Sequence, residues 1–290
     1  MTLRIRWLVW AIVLNIILVT AGVAGGEQVL YPRWLLRTEL LLQNIGTSTM
    51  HRATVEIPLI VEASAYGLVV SEEYNVELEE IVFLDCGTRK GIFRVGSLEP
   101  GESMTIRVEY GIAPGATRDI PAEPVKVTSL LIPDSAILGA ALRVTDGVTD
   151  YEEKFRTLQA FTHQHMRYEL NSPWRNGDAL KALEQAEGVC EDYANLLVAL
   201  ASALGIPSRT VYGYVKTPRS DNWIRHAWVE YLSLDGQWQS ADPTFSPEPG
   251  LDDSVHYLGQ GYENLSARVR FVGGRLAGSW REDVEELSQQ

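Results

Sequence analysis

One segment of this chain, from Glu191 to Leu204, is too apolar to lie at a protein surface. It is rich in alanine and leucine and contains neither glycine nor proline. Its apolar residues fall three or four positions apart along one side and fill much of the other side as well. The segment ends at Gly205-Ile206-Pro207, which is typical of a helix closed by a C′ glycine with a proline just beyond it. Since a helix that is apolar nearly all round is stable only when covered, we expect it in the core of a domain.

Cys190 lies at the predicted start of this helix, two residues after Gly188. A helix start presents free backbone N–H groups and the positive end of the helix dipole, and both favour a thiolate. The same N–H groups can bind the oxyanion of a tetrahedral intermediate. A free cysteine is often only a small buried apolar residue. Because Cys190 lies at a helix start and not on an apolar face, we interpret it as a catalytic nucleophile.

A predicted antiparallel sheet follows the helix. Its strands are indicated by β-branched and aromatic side chains and span residues 208–216, 226–232 and 237–241. The two-residue period of a strand puts His226, Trp228 and Glu230 on one face of the second strand. A turn at Asp235-Gly236 joins the second strand to the third in a predicted hairpin.

This hairpin brings His226, which begins the second strand, close to Asp242, which ends the third. An aspartate in that place fixes the tautomer and the orientation of an imidazole ring. Asp242-Pro243 by itself would indicate only the start of a turn. With His226 one hairpin away, we favour the functional interpretation of Asp242.

At this point the chain resembles the transglutaminase-like superfamily, whose core pairs a cysteine at a helix N-terminus with histidine and aspartate on neighbouring antiparallel strands. The matching blocks are Gly188-Val189-Cys190-Glu191-Asp192-Tyr193-Ala194, Ala203-Leu204-Gly205-Ile206-Pro207-Ser208-Arg209, Gly213-Tyr214, His226-Ala227-Trp228-Val229-Glu230 and Trp238 through Thr244. The resemblance spans roughly residues 127–247. The blocks are specific in combination, because they occur in the right order.

The resemblance implies an α+β, papain-like core, in which the helix bearing Cys190 packs on an antiparallel sheet bearing His226 and Asp242. It implies that Cys190 attacks an amide carbonyl and forms a thioester, that His226 takes and returns the proton, and that Asp242 orients His226. The acyl donor is then a glutamine side chain, a peptide bond or another amide.

Members of the superfamily include cross-linking enzymes, cysteine proteases, peptide glycanases and inactive scaffolds. Fold is a poor guide among these outcomes, because function is set by the site. Transfer and hydrolysis differ only in whether an amine or water reaches the thioester, and the sequence leaves both open. The alternative from a different class is a catalytically inactive surface binding module that retains the fold.

The residue after the nucleophile departs from one branch of the superfamily. Cross-linking animal enzymes carry an aromatic residue there, whereas this chain has Glu191 followed by Asp192, which is more like the microbial members. Negative charge beside a nucleophile opposes thiolate formation unless the helix dipole and His226 outweigh it. We expect Asp192 to be a solvent-facing carboxylate that stabilises the first turn of the helix. Glu191 receives no assignment.

Three aromatic residues are candidates for contact with the substrate. Trp228 lies on the same predicted strand face as His226, and Trp223 and Tyr212 are the two other candidates. For all three residues, a place in the hydrophobic core is the alternative.

The N-terminus indicates export. Arg4 and Arg6 precede a nearly unbroken apolar run from Trp7 to Ala24, which ends in small residues and is marginal in length for a spanning helix. A cleaved signal peptide and an uncleaved membrane anchor both fit this pattern, and we favour the first. Either one predicts an extracytoplasmic protein, secreted or anchored at the outer face of a membrane.

The charge of the chain bounds its partners. With 25 Lys and Arg against 38 Asp and Glu, the formal net charge is −13, which disfavours nucleic acid and anionic membrane surfaces. A protein or peptide substrate is the expected partner, and the sequence does not indicate an oligomeric state.

No metal, cofactor or disulfide is expected. The chain lacks a Cys/His cluster at zinc spacing. His163 and His165 lie two apart on a predicted helix and do not share a face. Cys86 lies in a different predicted domain from Cys190, so we predict that the two thiols do not pair.

The sequence predicts five segments along the chain. Residues 27–112 contain short strand-like runs separated by turn signals, and they resemble an immunoglobulin-like β-sandwich. Residues 265–272 alternate like a strand that either completes a sheet or covers the cleft. The predicted parts are the signal peptide or anchor at 1–24, the sandwich at 27–112, a proline-rich linker at 113–126, the catalytic domain at 127–250 and a C-terminal strand extension at 251–290.

Overall fold

The computed structural model describes residues 30–64, 66–114, 134–220, 222–252 and 254–287. The predicted signal peptide or anchor lies outside these residues, as does the predicted linker apart from residues 113 and 114. In the part of the chain that is described, no helix is long and apolar enough to cross a membrane.

The described elements fall into three groups along the chain. The first contains only strands: β1 (Trp34–Asn44), β2 (His51–Leu59), β3 (Ala63–Ser64), β4 (Gly67–Tyr74), β5 (Leu78–Phe83), β6 (Arg89–Val95) and β7 (Ser103–Ala113). The second mixes helices and strands: α1 (Ser135–Val144), α2 (Tyr151–His165), β8 (Arg167–Tyr168), α3 (Ala179–Gln185), β9 (Glu187–Gly188), α4 (Cys190–Ala203), β10 (Ser208–Lys216), β11 (Ile224–Leu232), β12 (Trp238–Ala241) and β13 (His256–Gly261). The third contains β14 (Arg268–Val272) and β15 (Leu276–Glu286).

The first and third groups together form a sandwich of two antiparallel sheets. Their strand orders are β15-β1-β7-β4-β3 and β14-β2-β6-β5. In β1, Leu36, Leu40 and Leu42 are buried at alternate positions, and they share one core with Val55 and Phe93 of the other sheet. Because alternate residues of a strand point to the same face, the two sheets pack face to face. The immunoglobulin-like character of this sandwich stays a prediction.

The C-terminal strands return to this sandwich. β15 pairs with the whole of β1, from Trp34 opposite Glu286 to Asn44 opposite Leu276, and β14 pairs with β2. Both strands cover sheet edges that would otherwise present unpaired backbone groups. Of the two roles expected for residues 265–272, the structure shows completion of a sheet.

The second group forms a helix–sheet body around α4. This helix packs against α1, α2 and α3 and against β10 and β11. Leu196, Leu197 and Leu200 are fully buried. After the helix ends at Ala203, Gly205 adopts a φ of +75°, the left-handed conformation that suits a C′ glycine. The prediction of a buried helix is confirmed.

The sheet of the helix–sheet body is antiparallel in the order β12-β11-β10-β13. The predicted hairpin is confirmed, since β11 pairs with β12 and Val229 lies opposite Ala241. Ala227 and Val229 share a core with α4, whereas Trp228 lies in a separate cluster on the other face. The predicted C-terminal extension at 251–290 is thus divided, because β13 joins this sheet while β14 and β15 join the sandwich.

The sandwich contacts the second face of that sheet. Tyr66, between β3 and β4, packs its ring at right angles to Trp228, with the centroids 4.9 Å apart. Its hydroxyl lies 2.6 Å from Ser240 Oγ on β12. The strands that carry the candidate site residues are therefore supported on one face by α4 and on the other by the sandwich.

Candidate active site

Cys190 is the first residue of α4 and is half-buried. Two short parallel strands, β8 and β9, hold the chain just before it, with Tyr168 opposite Gly188. Among the described residues, no hydrogen bond from the Cys190 amide is present. A thiol and an unused N–H donor thus lie together at a helix start, where an oxyanion can be bound.

Asp192 holds this helix start in place from inside the protein. Its Oδ2 accepts from the backbone N–H of Val189 at 2.8 Å, and its Oδ1 accepts from that of Gly177 at 3.0 Å. The residue is 1% exposed, so the expectation of a solvent-facing carboxylate is wrong. The carboxylate turns inward because it satisfies amides at the helix start. Gly188 permits this, since a Cβ there would lie 2.4 Å from Asp192 Oδ2.

His226 and Asp242 meet at the end of the β11–β12 hairpin, as the sequence predicts. His226 Nε2 lies 2.7 Å from Asp242 Oδ2, and both side chains are buried. Asp242 also accepts from the hydroxyl of Tyr257 on Oδ2 and from the backbone N–H of Thr244 on Oδ1, each at 2.9 Å. Three donors therefore fix the carboxylate that faces the imidazole.

Cys190 and Asp242 both act on the imidazole of His226. Burial by itself lowers the pKa of His226. The charge and hydrogen bond of Asp242 raise it, and Cys190 contributes in the same direction, so that the pKa is about 9. Because a carboxylate only accepts, Nε2 donates to Asp242, and Nδ1 is left to exchange a proton with the thiol. At neutral pH this imidazole is protonated and can supply a proton to a leaving group.

Two tyrosines flank the nucleophile. Burial, followed by the charge of Cys190, raises the pKa of Tyr168, and burial, Glu191 and Cys190 raise the pKa of Tyr212. Tyr212 donates to Glu191 Oε1 at 3.0 Å, and Asn264 donates to the same carboxylate at 3.2 Å. Glu191, which the sequence left without a role, thus ties β10 and the β13–β14 connection to the start of α4. A substrate contact for Tyr212 stays a prediction.

The two tryptophans predicted as substrate contacts pack against other aromatic rings. Trp228 is fully buried, and its ring packs edge-on against Tyr66 and Tyr257. Trp223 packs edge-on against Trp34 of the sandwich, with the centroids 6.1 Å apart. Trp228 is therefore a core aromatic rather than a cleft residue, whereas a substrate contact for the half-buried Trp223 stays a prediction. The strand period correctly put Trp228 on the face of His226, but the sandwich covers that face.

Two residues of the site are not indicated by the sequence. The ring of Phe245 stacks on that of His226, with centroids 4.8 Å apart and planes 14° from parallel, and Phe245 is 39% exposed. It lies in the irregular segment after Asp242, where no periodicity marks it. Tyr257 lies on β13, and its contact with Asp242 depends on a strand pairing that the sequence does not reveal.

The histidines of α2 bond to separate backbone carbonyls. His163 Nδ1 lies 2.9 Å from the carbonyl oxygen of Pro243, and His165 Nε2 lies 2.8 Å from that of Leu183. His163 thereby connects α2 to the segment that follows Asp242.

Comparisons with known proteins identify a matching family model and a similar fold. Residues 139–243 match the model of the transglutaminase-like superfamily. The chain is 32% identical over 102 residues to the protein-glutamine gamma-glutamyltransferase of Pseudomonas aeruginosa, a match that covers 32% of this chain and 15% of that protein. It is 36% identical over 109 residues to an uncharacterised protein of Mycobacterium leprae, covering 35% of this chain and 38% of that protein.

Among solved structures, a proposed cysteine protease from Cytophaga hutchinsonii has a similar fold. It matches with a TM-score of 0.62 and 15% identity, covering 90% of this chain and 92% of the other. The shared fold is strand-rich with mixed α and β content, and it extends over the sandwich as well as the helix–sheet body. The matches to the two curated relatives, by contrast, span 15% and 38% of their lengths.

Proposed function

We propose that this chain, whose residues 139–243 form a transglutaminase-like domain, is a cysteine enzyme that acts on an amide through a thioester on Cys190. The observation that carries the proposal is the buried contact of His226 with Asp242, on an imidazole whose pKa Cys190 also raises. Cys190 acts on the imidazole of His226, whose Nε2 is bonded to the buried carboxylate of Asp242. That order of nucleophile, base and orienting carboxylate suits covalent acyl chemistry.

The first half of the proposed reaction forms the acyl-enzyme. Cys190 Sγ attacks the amide carbonyl, and its proton resides on His226 Nδ1. The oxyanion of the tetrahedral intermediate accepts from the backbone N–H of Cys190. When the C–N bond breaks, His226 gives its proton to the departing ammonia or amine, and a thioester remains on Cys190.

The second half releases the acyl group. Water or a primary amine attacks the thioester carbonyl while His226 accepts a proton from it. The C–S bond then breaks, and the thiol of Cys190 is restored with its proton. Water yields a carboxylic acid and an amine yields a new amide, so the same residues serve hydrolysis and transfer.

Transfer and hydrolysis are both proposed for this site. The Pseudomonas aeruginosa relative is named a protein-glutamine gamma-glutamyltransferase, which supports a glutamine side chain as acyl donor. The match spans 15% of that protein, so peptide or amide hydrolysis stays in the proposal beside transfer. A protein or peptide is the proposed substrate. The apolar run from Trp7 to Ala24 supports a location outside the cytoplasm.

Incubation of the purified full chain with casein and a fluorescent primary amine tests the proposal. Label incorporation, deamidation and fragmentation are followed by mass spectrometry in the wild type, in Cys190→Ala and in the matched control Cys86→Ala. Labelling that requires Cys190 but not Cys86 would establish transfer, and deamidation or cleavage with the same requirement would establish hydrolysis. Identical products from Cys190→Ala and the wild type would remove the enzyme proposal.

A further inference from the structure

Tyr257 lies behind the His226–Asp242 pair and shares an oxygen with it. The Tyr257 hydroxyl donates to Asp242 Oδ2 at 2.9 Å, and His226 Nε2 lies 2.7 Å from the same atom. Asp242 Oδ1 is occupied separately by the backbone N–H of Thr244. One carboxylate oxygen therefore accepts from both the hydroxyl and the imidazole.

The ring of Tyr257 is held in place from several directions. It packs edge-on against Trp228 at 5.2 Å and lies 6.5 Å from the ring of Tyr66 in the sandwich. Tyr257 also lies opposite Val215 in the β10–β13 pairing, and its side chain is buried. A ring enclosed in this way does not touch a substrate, so its effect on the reaction passes through Asp242.

We propose that Tyr257 is a positioning residue, which locks the carboxylate of Asp242 towards His226 and weakens its hold on the imidazolium proton. This inference rests on the proposed function of Cys190, His226 and Asp242. A hydroxyl that donates to a carboxylate stabilises the charge on its oxygen, and that oxygen then attracts a second donor less strongly. Tyr257 thereby makes His226 a better acid towards a leaving group.

The charged and titratable groups around this pair are few. Asp242 and Cys190 act on His226, and Asp242 acts on Tyr257 with a smaller contribution from Asp252. The rings that pack on them carry no charge. Burial, followed by Asp242, raises the pKa of the Tyr257 hydroxyl, so it stays a donor throughout the pH range in which His226 titrates.

Tyr257→Phe tests the inference because it removes the hydroxyl and keeps the ring. We expect the high-pH limb of the kcat/KM profile to move upward by roughly half a unit to one unit, since Asp242 then holds the His226 proton more tightly. We expect kcat at neutral pH to fall several-fold with KM unchanged. The same limb is measured without substrate from the rate at which iodoacetamide alkylates Cys190 in the full chain, followed by mass spectrometry.

Tyr231→Phe is the matched control. It removes a tyrosine–carboxylate hydrogen bond of the same length, from Tyr231 to Glu152 Oε2 at 2.9 Å, on the opposite face of the same sheet. The pH profiles of its kcat/KM and of its Cys190 alkylation rate should coincide with those of the wild type. A shift of equal size in Tyr231→Phe would show that any loss of a buried hydroxyl moves the limb, and it would overturn the inference.

A second variant keeps the inference testable if Tyr257→Phe misfolds. It should shift the high-pH limb in the opposite direction. Site-specific 3-fluorotyrosine at position 257 keeps the ring and the hydroxyl but strengthens the donor, so the high-pH limb should move downward. Unshifted limbs for both replacements of Tyr257 would overturn the inference, even if kcat falls. Absence of any Cys190-dependent turnover would instead remove the proposed function, while the alkylation profile would still show whether Tyr257 tunes His226.

Discussion

Two buried ion pairs, one in the sandwich and one in the helix–sheet body, have nearly the same geometry. Arg89 Nη2 lies 2.7 Å from Glu72 Oε2, and His226 Nε2 lies 2.7 Å from Asp242 Oδ2. The side chains are 1% and 6% exposed in the first pair and 3% and 1% in the second. Distance and burial therefore do not distinguish a structural pair from a candidate catalytic one.

The pairs differ in proton exchange and in access. A guanidinium does not exchange its proton in proteins, and that of Arg89 is bound further by the carbonyl of Ile60 and by Glu62. His226 titrates, a half-buried thiol contributes to its pKa, and the partly exposed ring of Phe245 stacks on it. A buried ion pair becomes a candidate site when one member exchanges protons and a reactive atom beside it can be reached.

Removing the exchangeable proton should have the largest effect. His226→Ala is expected to lower kcat/KM by roughly 1,000-fold or more, because it takes away the acid and base of both half-reactions. Steady-state kinetics on whichever amide the wild type turns over would measure the loss. A variant that keeps a tenth of the wild-type activity would place the catalytic proton transfer on another group.

Breaking the sandwich pair should change stability instead. Arg89→Met is expected to lower the free energy of unfolding by about 3–5 kcal/mol, because it leaves the buried carboxyl group of Glu72 without its partner. Urea denaturation measures this loss, and kcat per folded molecule should stay near the wild-type value. Addition of Glu72→Leu should recover most of the stability, and a double variant no more stable than Arg89→Met would contradict this explanation.

A smaller effect that distinguishes the two pairs is the pH dependence of the free energy of unfolding. The pKa of His226 rises from 6.5 to about 9 on folding, so its stabilising contribution is complete below pH 6.5 and is lost as pH rises through 9. The wild type should have a higher free energy of unfolding than His226→Gln at pH 6. This difference between the two proteins should be smaller at pH 10 by on the order of 1–3 kcal/mol. A stability difference between the two proteins that grows with pH would contradict a raised pKa of His226 in the folded state.

The contact between the two parts of the molecule should give the smallest effect. Tyr66→Phe removes the hydrogen bond to Ser240 and keeps the packing on Trp228, so we expect a loss of about 0.5–1.5 kcal/mol in the free energy of unfolding. A modest fall in kcat should accompany it, because Ser240 lies two residues before Asp242. Differential scanning calorimetry and kinetics on the same preparation would check both.

Local patterns in the sequence predicted the parts of the site that depend on neighbouring residues. The apolar segment up to the Gly205 cap predicted α4 and the position of Cys190 at its start. The Asp235-Gly236 turn predicted the hairpin that brings His226 to Asp242. In both cases the determining contacts lie within one element or one turn, where periodicity and turn chemistry are informative.

Long-range contacts determined what the sequence missed. Trp228 is enclosed by Tyr66, which lies far away in the chain, and Tyr257 reaches Asp242 only because β13 pairs with β10. Asp192 turns inward because Gly177 and Val189 offer it amides, whereas helix-dipole reasoning considers only its place in the first turn. Pairings of this kind leave no periodic mark in the sequence.

In the proposed enzyme the buried His226–Asp242 pair activates Cys190, and the chain holds its own reference thiol. Burial raises the pKa of Cys86, which is half-buried and lies beside Glu263. Alkylation of the full chain by iodoacetamide at pH 7, followed at each cysteine by mass spectrometry, compares the two thiols directly. We expect Cys190 to react at least about tenfold faster than Cys86, and His226→Ala to abolish that difference. Equal rates at the two cysteines of the wild type would contradict the activation of Cys190.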